Sequence, residues 1–373
     1  MLNAAENLKY SRHLSLPEIG EVGQMKLKQS SVIVVGAGGL GCPLLQYLAA
    51  AGVGKIHIVD SDSVDASNLQ RQVLYREEDI EKPKAEAAAT RLRAQNSLIQ
   101  IYSHNLRLSA DNILSLFRSA DIVIDCSDNL STRYLISDAA TILGKPVVYG
   151  AVDRFQGQVS VFNLHNGAPT YRCLFPESRS AAQALNCSET GVLGVLPGII
   201  GVIQATEVIK IICGFGEVLS GKILLFDART MQFSTIGLER NAETGQEQPA
   251  TEAELMQSNY YIQCSNNQYA ISSAELQDAL QLEQEFTFID IREDGELPEI
   301  SELLGLRIPF SMLESKVAEI DRNSKVVLYC KSGVRSSKAL GILTEKYGLL
   351  NCMQLIGGVD AWLQFKESKT TSK

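Results

Sequence analysis

The chain has 373 residues, of which 45% are hydrophobic and 21% are charged. This balance is typical of a soluble globular protein, and the length fits about two domains of ~100–250 residues each. A formal net charge of −9 at pH 7 argues against a general nucleic-acid-binding protein, because such proteins carry a surplus of basic residues.

The N-terminal segment contains no uninterrupted apolar stretch of the kind found in secretory signals. The longest apolar stretch, residues 192–213, is interrupted by Pro197 and contains Gln204, Glu207 and Lys210, which predicts a buried helix rather than a membrane span. The eight cysteines include no C-x-x-C pair, as expected for free thiols in a reducing compartment. We therefore expect a cytoplasmic protein that binds neither membranes nor nucleic acid.

From about residue 32 to 150, apolar segments rich in β-branched residues alternate with helix-like segments. The predicted strands are "SVIVVGAG", "KIHIVD", "IQIYSH", "ADIVIDCSD" and "KPVVYGAV", and the predicted helices lie at about 40–51, 83–95, 110–118 and 131–143. Because the strands show little alternation of polar and apolar residues, they favour a doubly wound, mostly parallel sheet covered on both faces. The segments "GQVSVFNL" and "KILLFDA" predict a more antiparallel end of the sheet.

A polar, Gln- and Glu-rich segment divides the chain. We expect an N-terminal domain over residues 1–240, a linker over 241–258 and a second, smaller α/β domain over 259–373. The second domain shows helix "SSAELQDALQ", strand "FTFIDIRE", a helix near 311–320, strand "KVVLYC", a helix from about 335, then "MQLIGG" and a terminal helix with the single tryptophan, Trp362.

The segment "VIVVGAGGLG" contains glycines at G-x-G-x-x-G spacing after an apolar strand, namely Gly36, Gly38 and Gly41. Asp60 ends the second strand, at the position where a dehydrogenase holds the adenosine ribose. Alone, this pattern is also typical of an NAD-dependent oxidoreductase, or of a tight turn with any anionic ligand. The glycines and Asp60 therefore predict a nucleotide site without identifying the nucleotide.

The following segments favour ATP. Arg71, in "DSDSVDASNLQRQ", and Lys84, in "EKPKAEAAA", are cations suited to a triphosphate whose charge shifts during reaction. Asp125 and Asp128 in "DCSDN" end a further strand and offer oxygen ligands for magnesium. Because hydride transfer builds up no phosphate charge, a dinucleotide site has no need of these cations.

Five ordered motifs between about Tyr10 and Ile236 resemble the ubiquitin-activating-like adenylyltransferase family, in the branch of molybdopterin-synthase and thiamine-pathway adenylyltransferases. These motifs are "GAGGLGCP", "SNLQRQ", "KPKAEAA", "DCSDN" and "GVLPGIIGVIQATEVIK". The resemblance implies a Rossmann-like activating-enzyme fold. It also implies that ATP and Mg²⁺ are used to adenylate the C-terminal Gly-Gly carboxylate of a small ubiquitin-like sulfur carrier protein.

The resemblance implies a role for each matching residue. Asp60 would hold the ribose, the glycine turn and the cations would contact the phosphates, and Asp128 with Asn129 would position magnesium and the acyl phosphate. Arg12 would reach the triphosphate of a neighbouring subunit, which implies a homodimer. The expected nucleotide-site residues are Arg12, Gly36, Gly38, Gly39, Gly41, Asp60, Asp62, Ser67, Asn68, Leu69, Gln70, Arg71, Lys84, Asp128 and Asn129.

Two cysteine positions bear on the same resemblance. Cys187 lies in a polar loop segment where the family has a cysteine that forms a covalent link to the activated carrier. The structural zinc that is common in the family needs two C-x-x-C pairs, whereas "PTYRC" keeps Cys173 alone, with Thr170 in place of the first thiolate. We therefore expect no zinc site.

The segment "VVLYCKSGVRSSKAL" resembles the active-site loop of a rhodanese-like sulfurtransferase. Cys330 would carry a persulfide within the loop Cys330, Lys331, Ser332, Gly333, Val334 and Arg335, where loop amides, a helix N-terminus and Arg335 stabilise the anionic sulfur. Asp290 and Arg292 in "FIDIRE" and the segment "QLIGGVDAW" match the flanking motifs. The segment "EDGELPEISELLGLRIPF" departs from the family, so the sulfur donor, a persulfide or thiosulfate, stays open.

Taken together, the motifs predict an enzyme that adenylates a sulfur carrier and transfers sulfur from Cys330 to give a thiocarboxylate, with Cys187, Cys330, Arg71 and Asp128 as the catalytic residues. The carrier of molybdopterin synthase is the first expectation, and a thiamine-pathway or other thiolation carrier is the alternative. The other hypotheses are an NAD-dependent oxidoreductase, a tRNA-modifying ATP enzyme and a non-catalytic scaffold.

Overall fold

A computed structural model of the protein describes residues 1–176, 191–241, 248–258, 260, 269–282, 284–322 and 324–370. The described residues fall into two compact units. The first unit takes those up to residue 260, and the second takes those from residue 269. Each unit is built around its own sheet.

The first unit contains an eight-stranded sheet in the order β3-β2-β1-β4-β5-β6-β7-β8. The strands are β1 Ser31–Val35, β2 Lys55–Val59, β3 Gln100–His104, β4 Ile122–Asp125, β5 Val147–Asp153, β6 Gln156–Phe162, β7 Lys222–Asp227 and β8 Gln232–Gly237. The first five strands in the order β3 to β5 run parallel, and β6 to β8 are antiparallel, which confirms the doubly wound sheet with an antiparallel end.

The register of the central strands places three loops at one edge of the sheet. Val35, the last residue of β1, is paired with Val59 of β2 and with Asp125 of β4. The chain therefore leaves these three strands side by side, next to the point where the strand order reverses between β1 and β4. Parallel α/β sheets bind ligands at this place.

Helices cover both faces of this sheet. The helices of the first unit are α1 Ala4–Lys9, α2 Ser11–Leu14, α3 Gly20–Gln29, α4 Gly41–Ala51, α5 Lys84–Gln95, α6 Ala110–Arg118, α7 Leu130–Ile142, α8 Tyr171–Leu174, α9 Val195–Cys213 and α10 Glu252–Gln257. The β-branched strand residues form two buried clusters, one on each face of the sheet.

Helix α9 packs against α4, β5 and β6. Its Gln204 is fully buried, and the side-chain amide donates to the backbone oxygens of Asp125 (2.9 Å) and Val148 (3.3 Å). In the described part of the chain, it is the one helix long and apolar enough to cross a membrane by length and composition. Its buried amide and its packing on the sheet agree with the prediction of a buried helix.

The segment predicted as a linker forms structure within the first unit. Helix α10 lies inside residues 241–258 and packs against α6 and α7. Its Leu255 is fully buried in the cluster that covers one face of the sheet. Polar composition hides this contact, because one leucine anchors a helix that is otherwise exposed.

The second unit contains a parallel five-stranded sheet in the order β11-β10-β12-β13-β9. Its strands are β9 Ala270–Ile271, β10 Thr287–Asp290, β11 Leu306–Arg307, β12 Val326–Tyr329 and β13 Cys352–Leu355, and its helices are α11 Ser273–Gln281, α12 Val334–Glu345 and α13 Gly358–Thr370. The helix predicted near 311–320 is instead two short 3₁₀ segments, Phe310–Met312 and Glu314–Glu319.

Candidate active sites

The glycine turn lies between β1 and α4 at the strand edge described above. Gly36 has φ +96°, and a Cβ there would lie 2.6 Å from the backbone oxygen of Cys126. A Cβ on Gly41 would lie 2.1 Å from the backbone oxygen of Gly36. A Cβ on Gly38 would make only an ordinary contact, 3.6 Å from Nε2 of Gln72. The turn therefore needs glycine at its ends, whereas Gly38 and Gly39 in its middle are partly exposed and accessible to a ligand.

Asp60 braces this turn. Its carboxylate accepts a hydrogen bond from the backbone N–H of Ala37 (2.7 Å) and another from that of Asp62 (2.9 Å). Burial raises the pKa of the Asp60 carboxyl above its ordinary value, against these two hydrogen bonds. The structure thus places Asp60 where it fixes the backbone of the glycine turn.

Lys84 begins helix α5 and faces the same edge. Its side chain is 8% exposed, and Nζ lies 2.9 Å from Oδ2 of Asp62, whose own side chain is 68% exposed. The backbone N–H of Lys84 also donates to the backbone oxygen of Asp62 at 2.8 Å. A buried ammonium group is thus paired with a carboxylate that stays in solvent, and a buried cation of this kind is suited to an anionic ligand.

Residues 67–71 lie beside the glycine turn. Their first two residues belong to the short 3₁₀ turn Ala66–Asn68. The guanidinium of Arg71 donates to the backbone oxygen of Ser67 at 3.2 Å. The Arg71 Cγ atom lies 3.6 Å from the position that a Cβ on Gly39 would take. The stem of Arg71 therefore lies against the glycine turn.

The two carboxylates predicted as magnesium ligands differ in their surroundings. Asp125 is buried, and its Oδ1 accepts hydrogen bonds from the backbone N–H (2.9 Å) and the hydroxyl (2.6 Å) of Ser127. Burial raises the pKa of the Asp125 carboxyl. Asp128 is exposed, and Asn129 caps α7 by accepting from the backbone N–H of Thr132 at 2.9 Å. Asp128 is therefore the carboxylate of this pair that is open to a cation.

The group of residues described above does not include three other positions singled out in the sequence, Arg12, Cys173 and Cys187. Arg12 is exposed on α2 and makes no hydrogen bond or ion pair with another described residue. Cys187 lies outside the described residues. The Cys173 sulfur accepts from the backbone N–H of Thr170 at 3.4 Å. Over the described ranges, no group of three or more histidine, cysteine, aspartate or glutamate side chains is arranged to hold a metal.

Two buried residues that the sequence analysis did not select complete the site. The hydroxyl of Tyr75 lies 2.7 Å from the backbone oxygen of Ala37 in the glycine turn and 3.2 Å from that of Lys84. Gln72 is 4% exposed, and its Oε1 has no hydrogen-bond partner in the described part of the protein. In the sequence, the one signal for these two residues is that they closely follow the motif "SNLQR". Tyr75 otherwise has the character of an ordinary core residue.

The Cys330 loop of the second unit joins β12 to α12. Cys330 is 1% exposed, and Gly358 packs against the loop so closely that a Cβ there would lie 2.1 Å from the Cys330 backbone oxygen. The backbone N–H groups of Val359 and Asp360 donate to the backbone oxygens of Cys330 and Lys331, both at 2.9 Å. The segment "GGVD" thus supports the Cys330 loop through backbone hydrogen bonds and close packing.

The loop leaves its own amides free for an anion. No backbone N–H from Lys331 to Arg335 donates to a carbonyl within the described ranges. Ser336 lies with its hydroxyl 3.7 Å from the Cys330 sulfur and donates to the backbone oxygen of Gly333 at 3.0 Å. Amide groups directed around one thiol stabilise a thiolate or persulfide anion.

Two arginines of the rhodanese-like motifs, Arg335 and Arg292, are already paired with carboxylates. Arg335 donates to both carboxylate oxygens of Glu296, at 2.5 and 2.7 Å. Sequence reasoning assigned Arg335 to the sulfur anion, so Glu296 is an unexpected competitor. Arg292 is 1% exposed and pairs with Asp290 at 2.7 Å, and it also donates to the backbone oxygen of Pro298 at 2.8 Å, so this motif pair has a structural role.

Two family models match the chain, one in each part of it. The ThiF family model matches residues 10–247, and the rhodanese-like domain model matches residues 272–365. The chain is 40% identical to the probable adenylyltransferase/sulfurtransferase MoeZ of Mycobacterium tuberculosis, over 97% of this chain and 94% of that protein. It is 37% identical to the adenylyltransferase and sulfurtransferase MOCS3 of Mus musculus, over 97% of this chain and 86% of that protein.

Solved structures share the fold of the first unit. The crystal structure of E. coli MccB with ATP has a TM-score of 0.57 at 23% identity, covering 64% of this chain and 73% of that chain. The crystal structure of PaaA has a TM-score of 0.56 at 23% identity, covering 64% and 76%. These likenesses confirm the Rossmann-like architecture.

Proposed function

The chain belongs to the ThiF family and carries a C-terminal rhodanese-like domain, and on this premise we propose that it makes the thiocarboxylate of a small ubiquitin-like sulfur carrier. It is an adenylyltransferase/sulfurtransferase, as its relatives MoeZ and MOCS3 are named. ATP adenylates the carrier's C-terminal Gly-Gly carboxylate, and sulfur from a Cys330 persulfide then replaces AMP. The molybdopterin-synthase carrier is the expected partner, with a thiamine-pathway carrier as the alternative.

The observation that carries the proposal is the meeting of the glycine turn, Arg71, Lys84 and Asp128 at the carboxyl ends of β1, β2 and β4. The open middle of the turn accepts phosphate oxygens on backbone N–H groups. Arg71 and Lys84 supply positive charge, and Asp128 supplies an oxygen ligand. This combination serves phosphoryl chemistry better than hydride transfer.

Asp128 is the residue that fits a magnesium ion. Its carboxylate is exposed at the strand edge, and Mg²⁺ is commonly held by one or two carboxylates together with substrate phosphates. Bound there, the ion would neutralise phosphate charge. We expect no zinc in this protein.

The carrier carboxylate attacks the α-phosphate, the bond to the β-phosphate breaks and pyrophosphate leaves. Lys84 and Arg71 compensate the charge that builds up on the leaving oxygens. Asp60 keeps the glycine turn in place through its bond to the Ala37 N–H. Arg12, exposed on α2, reaches the triphosphate of a second subunit in a homodimer.

Sulfur enters from the second unit. The terminal sulfur of the Cys330 persulfide attacks the acyl adenylate, so that a carbon–sulfur bond forms and AMP leaves. The Cys187 thiolate then attacks the Cys330 sulfur of the acyl persulfide, which releases the thiocarboxylate and leaves a disulfide that a cellular thiol reduces. In the alternative order, Cys187 first captures the carrier as a thioester. Both steps need Cys187 and Cys330 as free thiols. Because the cytoplasm keeps thiols reduced, this need supports a cytoplasmic location.

Carrier-dependent exchange of labelled pyrophosphate into ATP tests the first step. The wild-type chain should catalyse exchange only when a carrier with a terminal Gly-Gly is present, and Lys84→Gln should lower the rate at least about tenfold. Lys82→Gln is the matched control, since Lys82 pairs with Asp79 outside the site. A chain that shows no exchange with any carrier but binds NAD would refute the proposal.

Mass spectrometry of the carrier tests the second step. After incubation with ATP and a sulfur source, the carrier should exchange one oxygen for one sulfur. The Cys330→Ala variant should stop at the adenylate. Equal sulfur incorporation by Cys330→Ala and the wild-type chain would show that the second unit is a scaffold.

A further inference from the structure

Glu296 stands at the Cys330 loop without a role in the reaction proposed above. It lies between β10 and β11 in the chain. Its two carboxylate oxygens accept hydrogen bonds from the two terminal nitrogens of Arg335, the last residue of the loop. Its Oε1 also accepts from the backbone N–H of Glu293 at 2.8 Å, which fixes the carboxylate in place. The side chains of Arg335 and Glu296 are only 25% and 29% exposed.

This pair changes the charge that a sulfur donor meets. The loop contains two cations, Lys331 and Arg335. Arg335 is committed to Glu296 in a two-point contact, whereas Lys331 is exposed and makes no ion pair with a described residue. Glu293 lies next to the Glu296–Arg335 pair: its backbone N–H bonds Glu296, and its own carboxylate accepts from the backbone N–H (3.2 Å) and the hydroxyl (2.9 Å) of Ser311. Within the described residues, Lys331 is therefore the cation of this loop that is not held in an ion pair.

We propose that the Glu296–Arg335 ion pair is a specificity determinant that turns the Cys330 loop away from dianionic sulfonate donors and toward persulfide donors of low charge. The inference rests on the proposed persulfide at Cys330. A free guanidinium beside the thiolate attracts a dianion such as thiosulfate, and this attraction is weakened when Glu296 neutralises the guanidinium.

Both donor reactions are balanced without further reactants. With a persulfide, the Cys330 thiolate attacks the outer sulfur, the donor's S–S bond breaks and the donor leaves as a thiolate. With thiosulfate, the same attack breaks the bond between the outer sulfur and the sulfonate, and sulfite leaves. Each reaction gives the same Cys330 persulfide, so the donors differ in the charge that they carry into the loop and remove from it.

Glu296→Gln in the full chain tests the proposal, because glutamine keeps the shape and the acceptor for the Glu293 N–H but removes the charge. The kcat/KM for thiosulfate should rise about tenfold, while that for cysteine persulfide stays within about twofold. The double variant with Arg335→Gln should lose the gain. Glu314→Gln is the matched control, since Glu314 pairs with Lys346 beyond the far end of α12.

Alkylation of Cys330 gives a readout that does not depend on turnover. The ratio of the rates with iodoacetate and iodoacetamide compares an anion with a neutral reagent on the same thiolate, so it cancels any change in thiol pKa. Glu296→Gln should raise this ratio about fivefold or more. An unchanged ratio, or an equal gain with both donors, would overturn the inference. If neither donor forms a persulfide, the proposed function fails, and the alkylation ratio still decides the charge argument.

Discussion

Replacing Tyr75 with phenylalanine removes one hydroxyl that joins two parts of the proposed ATP site. Tyr75 is 5% exposed, and its hydroxyl contacts the backbone oxygens of Ala37 (2.7 Å) and Lys84 (3.2 Å). The Cys42 thiol also donates to the Ala37 oxygen at 3.3 Å, so that oxygen keeps a weak partner in the variant. We therefore expect a stability loss of about 1–2 kcal/mol, the usual cost of losing one buried hydrogen bond.

The functional loss should be larger than stability alone predicts. Without the hydroxyl, the glycine turn and the first residue of α5 are no longer tied together, so the KM for ATP should rise about tenfold, equivalent to about 1.4 kcal/mol. Pyrophosphate exchange at varied ATP concentration, with thermal unfolding in parallel, measures both. Tyr102→Phe is the control, since the Tyr102 hydroxyl bonds Gln100 at an exposed site.

An unchanged KM for ATP in Tyr75→Phe, together with the expected loss of stability, would refute this reasoning. It would show that the hydroxyl supports the core and has no part in positioning the site. A variant whose KM rises without any loss of stability would instead strengthen the positioning role.

Three further predictions follow from the packing and the charges. Leu255→Ala should destabilise the first unit by about 2–4 kcal/mol, because the side chain is fully buried. Urea unfolding followed by circular dichroism measures this loss. An unchanged unfolding midpoint would mean that α10 does not pack against the cluster on this face of the sheet. Gly358→Ala should abolish sulfur transfer, since its Cβ would strike the Cys330 loop, whereas Gly341→Ala, with open space around it, should retain transfer. The bonds from Arg335 lower the pKa of Glu296 from 4.5 to about 2, so the stability advantage of the wild-type chain over Glu296→Gln should be complete above pH 4.5 and decline as the pH falls toward 2. Fluorescence of Trp362, the single tryptophan of the chain, follows this unfolding of the second unit; an advantage that does not vary with pH would contradict the ion-pair argument.

The sequence predicts the strand ends and both loops because their signals are local. The glycine spacing after an apolar strand requires a tight turn at Gly36 and Gly41, and parallel strands then bring Asp60 and Asp128 to the same edge. Residues adjacent to a motif carry such information without any knowledge of the rest of the fold.

The remaining features depend on contacts between distant segments. Glu296 meets Arg335 across 39 positions of the chain, and no pattern in either segment specifies the other as a partner. Leu255 is one apolar residue in a polar stretch, so composition indicates a linker although the side chain is buried. Strand β8 was not predicted because all its residues are exposed, which leaves no alternation of buried and exposed positions to detect.

The polar side chains of helix α9 bond backbone groups of the first unit. The same side chains also affect how the helix is recognised during synthesis. Besides the amide of Gln204, the carboxylate of Glu207 accepts the backbone N–H of Leu219 at 2.8 Å and pairs with Lys210. Each charged side chain near the middle of an apolar helix raises the cost of transfer into lipid by about 2.5–3.5 kcal/mol. The side chains that anchor α9 within the fold thus also weaken its recognition as a membrane segment when it leaves the ribosome before the sheet has formed.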